Sequence, residues 1–174
     1  AVLAIVVGLV AGSLSIIFRL LVSGALTFSV LNDYGASFES LSPGARFLLC
    51  AGGGLLIGLL FQLMSISTRQ IGVVHVLERL AYHHGRLPLK NAAAQFVGAA
   101  LCMITGQSVG REGPAVHMGA AAGATISDAL KIPHNAGRIL IACGVASAIG
   151  AGFNTPLAGV IFAMEVVLME YTIL

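Results

Sequence analysis

The chain has 174 residues, of which 57% are hydrophobic and 9% are charged, and its mean hydropathy is +0.97. A soluble domain carries about a quarter charged residues, so this composition indicates an all-α, multi-pass membrane protein. The net charge of +2 provides no basic surface for nucleic acid, and all three cysteines lie in apolar runs that suit free thiols. Because the chain starts without a methionine, we expect a single transmembrane fragment, 1–174, of a longer protein.

The first apolar segment runs from Ala1 to about Asn32 and contains one charge, Arg19. It is longer than the roughly 20 residues that cross a bilayer, so we predict that it tilts or extends beyond the membrane. Arg19 is either a side chain that snorkels to the interface or a residue of a transport pathway. A polar connector, 33–42, then leads to a second span from Ala45 to about Ser67.

The hydrophilic stretch 68–90 indicates the orientation. It carries four basic residues and one acid, whereas the connector 33–42 carries two acids. By the positive-inside rule, this stretch and the N-terminus are both predicted to be cytoplasmic. Within the stretch, Val73–Tyr82 has a helical apolar pattern that predicts a short interfacial or half-inserted helix. Its nearby histidines lack the ligand spacing of a metal site, so we expect no metal.

Two further apolar segments, 91–110 and 114–127, are followed by an uncharged run, 139–164, that is long enough for one span. The sequence Gly150–Pro156 argues against a single span. Asn154 or Thr155 can cap a helix whose first turn contains Pro156. We therefore predict two short helices joined by a break, ending near Glu165. Broken helices at membrane depth occur inside protein or beside polar cavities, which favours a transport pathway.

Glycines four residues apart predict close packing of helices. The chain has four such pairs, which are Gly8/Gly12, Gly54/Gly58, Gly106/Gly110 and Gly119/Gly123. We expect them to act in packing alone.

Arg111 and Glu112 form the candidate functional site, because ionisable residues kept between membrane segments are costly and usually functional. Pro114 favours the first turn of a helix, whose N-terminus offers unpaired N–H groups and about half a positive charge to an anion. The predicted anion site consists mainly of backbone N–H groups, with glycine keeping the backbone open, at Gly110, Arg111, Gly113, Ala115 and Val116. A second helix N-terminus at Asn154, Thr155 and Pro156 can face the same region.

The Glu112 carboxylate is itself an anion and should compete for these donors. When ionised it can plug the site, and when protonated or displaced it can swing away, which would link gating to protons. A structural ion pair or a helix cap is the alternative for Arg111 and Glu112, and the residues leave both interpretations open. A hydrolase that uses Ser108 or Ser147 with His117 lacks a nucleophile motif, so no enzyme is predicted.

These motifs resemble the CLC family of chloride channels and proton-coupled chloride transporters. Gly110–Val116 matches the family's GREGPxV motif, and Gly150–Gly159 with Phe162–Val166 is similar to its later conserved segment. The resemblance covers nearly the whole chain and implies most of the first of two inverted repeats, built from tilted and broken helices. It also implies that Glu112 is the gating glutamate, that chloride is the substrate, and that the protein is a homodimer with Pro156–Glu165 near the subunit interface.

Three departures from the family pattern bear on function. The family serine that coordinates the central anion is replaced by Ile71, although the following Gly72 is kept. The family's exchangers carry a proton-transfer glutamate one residue after Glu165, where this chain has Val166, as in members that look like passive channels. The family's second-half GxFxP motif and pore tyrosine are absent from the chain.

The resemblance and its departures imply a channel-like chloride conductor that voltage or pH gates through Glu112. A proton-coupled chloride antiporter is the alternative, and a non-conducting structural subunit is a remote one. In a bacterium, the protein would lie in the lipid of the plasma (inner) membrane.

Overall fold

The computed structural model describes residues 1–28 and 41–169, so most of the predicted connector 33–42, with the end of the first predicted segment, lies outside the described residues. The described ranges contain seven α-helices, one π-helical turn and no strand, which confirms the all-α class. In chain order these elements are α1 Val2–Phe28, α2 Pro43–Leu63, α3 Gly72–Tyr82, α4 Leu89–Ile104, α5 Glu112–Ala129, α6 His134–Phe153, α7 Pro156–Phe162 and the π-helical turn Ala163–Leu168.

Three helices, α1, α2 and α6, are long and apolar enough to cross a membrane. The short helix predicted over Val73–Tyr82 is confirmed as α3, which begins one residue earlier at Gly72. Helix α4 is a shorter apolar helix, as is the segment Pro156–Leu168 formed by α7 and the π-helical turn. Several spans therefore accompany helices that cover only part of a membrane's thickness.

Helix α5 lies at the centre of the bundle, where it packs against α1, α3, α4 and α6. Eleven of its 18 residues are buried. One of its faces packs with α6 in the larger core cluster, through Val116, Ala120 and Ala124. Met118 faces the other way and packs with Phe18 of α1. The helix that begins at the candidate site is thus held on several sides.

Glycines bring the backbones of α5 and α6 into direct contact. A Cβ placed on Gly119 would lie 2.5 Å from the Gly144 carbonyl oxygen and 2.8 Å from the Ala148 Cβ. A Cβ on Gly123 would lie 2.7 Å from the Ile141 Cα. The predicted packing role of the Gly119/Gly123 pair is therefore confirmed.

Helix α1 packs on the opposite side of α6 through Gly8 and Gly12. A Cβ on Gly12 would lie 2.9 Å from the Ser147 Oγ, and that hydroxyl donates a hydrogen bond of 2.6 Å to the Gly8 carbonyl. Ser15 likewise donates to the Ala148 carbonyl at 2.8 Å. Serine hydroxyls on a glycine-lined face thus bond two membrane helices together, and the Gly8/Gly12 prediction is confirmed.

The other two glycine pairs do not pack as predicted. A Cβ on Gly58 would meet nothing within 4 Å in the described structure. Gly106 and Gly110 do not share a helix, because α4 ends at Ile104 instead of extending to Gly110. Gly106 has φ +79°, a left-handed conformation that glycine adopts without steric cost and that breaks the helix.

The predicted break near Asn154 is confirmed. Helix α6 ends at Phe153, Asn154 takes a left-handed conformation with φ 58°, and Pro156 opens α7. Two details differ from the prediction. The first helix is 20 residues long and not short, and Thr155 occupies the N-cap of α7 without a side-chain hydrogen bond.

We expect Gly119→Val to destabilise the protein, because no flexible side chain can move aside for the new atoms. Overpacking of this kind costs about 1–3 kcal/mol. Thermal unfolding of the complete protein in detergent would measure this as a lower midpoint. Gly58→Val is the matched control, since the site is open in the described structure. Equal midpoints for the two variants would contradict the close contact between α5 and α6.

Candidate anion site

Helix α5 begins at Glu112, with Arg111 at its N-cap and Pro114 as its third residue. The predicted start at Pro114 is therefore two residues late, although Pro114 does lie in the first turn. Pro114 has no N–H, and the Ala115 N–H donates to the Arg111 carbonyl at 3.1 Å. The inclusion of Ala115 among the free donors is wrong, and Val116, one residue further along, is paired in the same helical pattern.

Three backbone N–H groups remain unpaired by the helix, those of Arg111, Glu112 and Gly113. They point out of the N-terminal end of α5, where the helix dipole is positive. A helix start usually has four unpaired N–H groups. Here there are three, because Pro114, which occupies the fourth position, has no N–H. The anion-binding capacity of this helix start is thus confined to the second, third and fourth residues of the Gly110–Val116 motif.

The Glu112 carboxylate folds back over Gly110. A Cβ placed on Gly110 would overlap the Glu112 Oε2 atom. Glu112 is exposed, and among the described residues its carboxylate has no hydrogen-bond or ion-pair partner. Glycine at position 110 is therefore what lets the carboxylate lie beside its own helix start.

Arg111 contacts an aromatic ring and does not pair with Glu112. Its guanidinium carbon lies 6.0 Å from the centroid of the Phe153 ring. The structural ion pair that the sequence left open is therefore not formed within the described residues, and the N-cap residue makes no side-chain capping bond. The carboxylate stays available for other partners.

The contact with Phe153 also brings the start of α5 close to the break between α6 and α7. Phe153 is the last residue of α6 and is followed by Asn154, Thr155 and Pro156, all exposed. The two helix starts that the sequence singled out are thus neighbours in the fold. Helix α7 is seven residues long and continues into the π-helical turn.

A cleft of ≈ 350 Å³ beside the helix start is lined by two arginines, Arg19 of α1 and Arg111. Ser23 and apolar residues, among them Phe18, Val22 and Met103, complete its lining. The sequence did not connect Arg19 with the motif, because the two are separated by most of the chain. The cleft brings Arg19 together with Arg111, the residue that precedes Glu112.

At the predicted central-site region, Ile71 is the N-cap of α3 and makes no side-chain capping bond. Gly72 has φ +89°, which explains why glycine is kept there. The Gly72 N–H donates to the Nδ1 of His117 at 3.3 Å. The first amide of α3 is therefore bonded to a side chain from α5, and Ile71 contributes no hydroxyl.

The two residues of the predicted internal proton position lie in the π-helical turn, which packs against α6 and α7. Glu165 is exposed and Val166 is half-buried. A π-helical turn inside a helix often marks a functional site. The turn itself had no signal in the sequence, which reads as continuous helix from Pro156.

Three buried polar residues near α5 were not part of the predicted site. Gln95 of α4 has its Nε2 4.0 Å from the Cβ position of Gly113, and its Oε1 has no partner in the described structure. His75 and His117 pack ring against ring. The sequence did contain a signal for Gln95, because a polar residue inside the uncharged segment 91–110 stands out as a candidate site residue. Ser147, one of the two serines of the hydrolase alternative, donates its hydroxyl hydrogen bond to the Gly8 carbonyl.

A family model described as voltage gated chloride channel (Voltage_CLC) matches residues 53–174. A ClcB-like chloride channel protein of Ralstonia nicotianae is 31% identical over 76% of this chain and 32% of its own length. A chloride/fluoride channel protein of Pseudomonas syringae is 27% identical over 94% of this chain and 34% of its own length. An H(+)/Cl(-) exchange transporter, ClcA, of Vibrio cholerae is 41% identical over 45% of this chain and 16% of its own length.

The fold and the site define a class of protein: an all-α membrane protein with a carboxylate at a helix start that has no partner among the residues described. The chain belongs to the CLC family of voltage-gated chloride channels, because the family model covers more than half of it. It spans about a third of the length of the first two relatives. No solved structure matches it.

We expect Gly110→Ala to displace the Glu112 side chain without unfolding the protein, because the overlapping atoms are the end of a flexible side chain. A cryo-EM map of the complete variant protein would show the carboxylate turned away from residue 110. Gly113→Ala is the control, since its new Cβ would meet nothing closer than 4.0 Å. An unchanged carboxylate in Gly110→Ala would contradict the described geometry.

Proposed function

We propose that this chain forms the gated first half of a CLC-type chloride pathway, with Glu112 as the gate. The observation that carries the proposal is the position of the Glu112 carboxylate. It lies at the N-terminus of a buried helix, folded over Gly110 and unpaired among the described residues. A carboxylate that is not engaged by Arg111 can exchange with a permeating anion.

The chemistry of the site suits transient binding of a small anion. Three free N–H groups and a helix dipole attract negative charge without a fixed ammonium or guanidinium directly on the ion. The same donors favour the ionised Glu112 carboxylate and chloride alike, so the two compete for one place. Gating then consists of moving the carboxylate aside, either by protonation or by displacement.

Uncoupled, channel-like conduction is the leading form of this proposal. Val166, which stands where exchangers of the family carry an internal glutamate, is half-buried and does not titrate. Two of the relatives above are named as channels. A proton-coupled antiporter is the second candidate, favoured by the exposed carboxylate of Glu165 and by the relative that is named an exchange transporter.

The proposal includes a homodimer in the plasma (inner) membrane of a bacterium, with the N-terminus in the cytoplasm. Support for the dimer comes from an exposed apolar stripe on α7 and the π-helical turn, formed by Leu157, Val160, Ile161 and Met164. Support for the orientation comes from the four basic residues in 68–90, which the positive-inside rule assigns to the cytoplasm.

We expect Glu112→Gln in the complete, reconstituted protein to hold the pathway open and to abolish its pH-dependent gating, because an amide of similar size carries no charge and takes up no proton. Chloride efflux from liposomes would be measured at several pH values. A single titrating carboxylate changes the open fraction by up to about tenfold per pH unit, and the variant should be flat. Glu78→Gln, an exposed glutamate of α3, is the control. Unchanged pH dependence in Glu112→Gln would refute the gate.

The reversal potential under a pH gradient separates the two forms of the proposal. An uncoupled channel should show a reversal potential set by chloride alone, both in the wild type and in Glu165→Gln. A shift with the pH gradient that Glu165→Gln removes would establish the antiporter and overturn the channel.

We expect Arg19→Gln to raise the half-saturating chloride concentration about two- to fivefold at low ionic strength, because one of the two guanidinium groups at the approach is lost. The effect should shrink in high salt, where the Debye length falls to about 3 Å. Arg86→Gln, on the hydrophilic stretch 68–90, provides the control. If both variants behave alike, Arg19 is an interfacial side chain and not part of the approach.

A further inference from the structure

Two histidines from different helices meet in the interior, away from the candidate anion site. His75 of α3 is 4% exposed and His117 of α5 is 0% exposed. Their ring centroids lie 5.5 Å apart, with the rings tilted by 51°. Both nitrogens of His75 and the Nε2 of His117 are buried without a hydrogen-bond partner in the described structure.

The one hydrogen bond of the pair fixes the protonation of His117. Its Nδ1 accepts from the Gly72 N–H, so this nitrogen carries no proton and the proton of the neutral ring lies on Nε2. With His75 also neutral, three donors face two acceptors. The donors are the N–H of Gly72 and one N–H on each ring, and the acceptors are the two remaining ring nitrogens. In the described structure only one of these donors, the Gly72 N–H, is paired with one of these acceptors.

One added proton leaves the pair less well satisfied. It converts an acceptor into a donor, so four donors face one acceptor. On the Nδ1 of His117 the proton would remove the acceptor of the Gly72 N–H, and on His75 it would place a charge on a buried ring that has no hydrogen-bond partner in the described structure. It also places a positive charge next to the first turn of α3, whose dipole is positive at the same end. Protonation and docking of α3 on α5 thus oppose each other.

The charged surroundings of the pair do not cancel this effect. Burial lowers the pKa of His75, Arg79 lowers it further, Glu78 raises it and His83 lowers it. From α5, the titratable group that faces His75 is His117, and in the described structure no charged group of α1, α4 or α6 acts on His117. Because the folded state disfavours the proton, the docking of α3 is most stable above about pH 6.5 and weakens as the pH falls.

We propose that His75 and His117 form a buried proton-binding site that releases the N-terminal turn of α3 from α5 when it takes up a proton. The site is distinct from Glu112, and its action is on the amide of Gly72.

Hydrogen exchange of the complete protein in lipid nanodiscs tests the site without reference to flux. Peptides that cover residues 68–82 would be followed from pH 8 to pH 5.5, with correction for the intrinsic exchange rate. We expect the protection of the first turn of α3 to fall as the pH falls, by up to about tenfold per pH unit, the slope of one proton. Constant protection in the wild type would overturn the proposal, even if Glu112 proves to be the gate.

His117→Asn is the matched variant, because asparagine keeps an oxygen acceptor near the position of Nδ1 and takes up no proton. Its protection should depend less steeply on pH than that of the wild type, because His75 is then the only titratable ring of the pair. The control is His84→Asn, which alters a second histidine pair, His84 and His134, with ring centroids 5.1 Å apart and both side chains exposed. This control should keep the wild-type slope. A wild-type slope in His117→Asn would overturn the proposal.

If His117→Asn does not fold, the wild type alone still decides the question. Histidine-selective nitrogen NMR distinguishes neutral from protonated rings. In the docked state both rings should be neutral at pH 8, because burial and Arg79 disfavour the charged form of His75. A ring that is already protonated at pH 8 would refute the site.

Discussion

The contact between the backbones of α5 and α6 is the constraint on which the rest of the structure depends. Gly119 lies against the carbonyl of Gly144, and Gly123 lies against the backbone of Ile141, with no side chain between them. In a membrane, where apolar side chains gain little from leaving lipid, such close packing is a main source of helix association. It seats α5 in the centre of the bundle and so fixes the direction in which its N-terminus points.

A buried helix that begins with Arg-Glu-Gly-Pro has a specific electrostatic consequence. Its N-terminus has three free amides and a positive dipole end. A carboxylate on the first residue is attracted to the same charges as an incoming anion. Had Glu112 paired with Arg111, this competition would have been lost. Instead Arg111 packs against Phe153, and Gly110 leaves room for the carboxylate beside the helix start.

The start of α3 differs from the start of α5 although both are helix N-termini at glycine-rich turns. Ile71 supplies no hydroxyl, and the first amide, that of Gly72, is bonded to His117. The N-terminus of α3 therefore offers an anion less than the N-terminus of α5 does, because it lacks a side-chain hydroxyl and its first amide is already bonded. The imidazole that takes the amide also links α3 to the central helix, so the two regions share a residue of α5.

The sequence by itself determined what depends on local chemistry and composition. The scarcity of charge fixed the membrane class, the Gly-Arg-Glu-Gly-Pro run fixed a helix start with a carboxylate, and Asn154 with Pro156 fixed the break. These features are decided by hydration and by backbone conformation within a few residues. The predicted helix ends were less accurate, since α5 begins at Glu112 and not at Pro114, and α4 ends at Ile104 and not at Gly110. The apolar pattern does not record where backbone conformation ends a helix.

Only the tertiary structure decided which distant residues meet. The cleft shared by Arg19 and Arg111, the ring contact of Arg111 with Phe153, and the buried pair of His75 with His117 all join separate helices. The tertiary structure also decided which of the predicted glycine pairs pack against another helix and which do not. The physical reason is that helix contacts are chosen by the fit of whole surfaces, so a side chain's partner depends on how the helices cross and not on its neighbours in the chain.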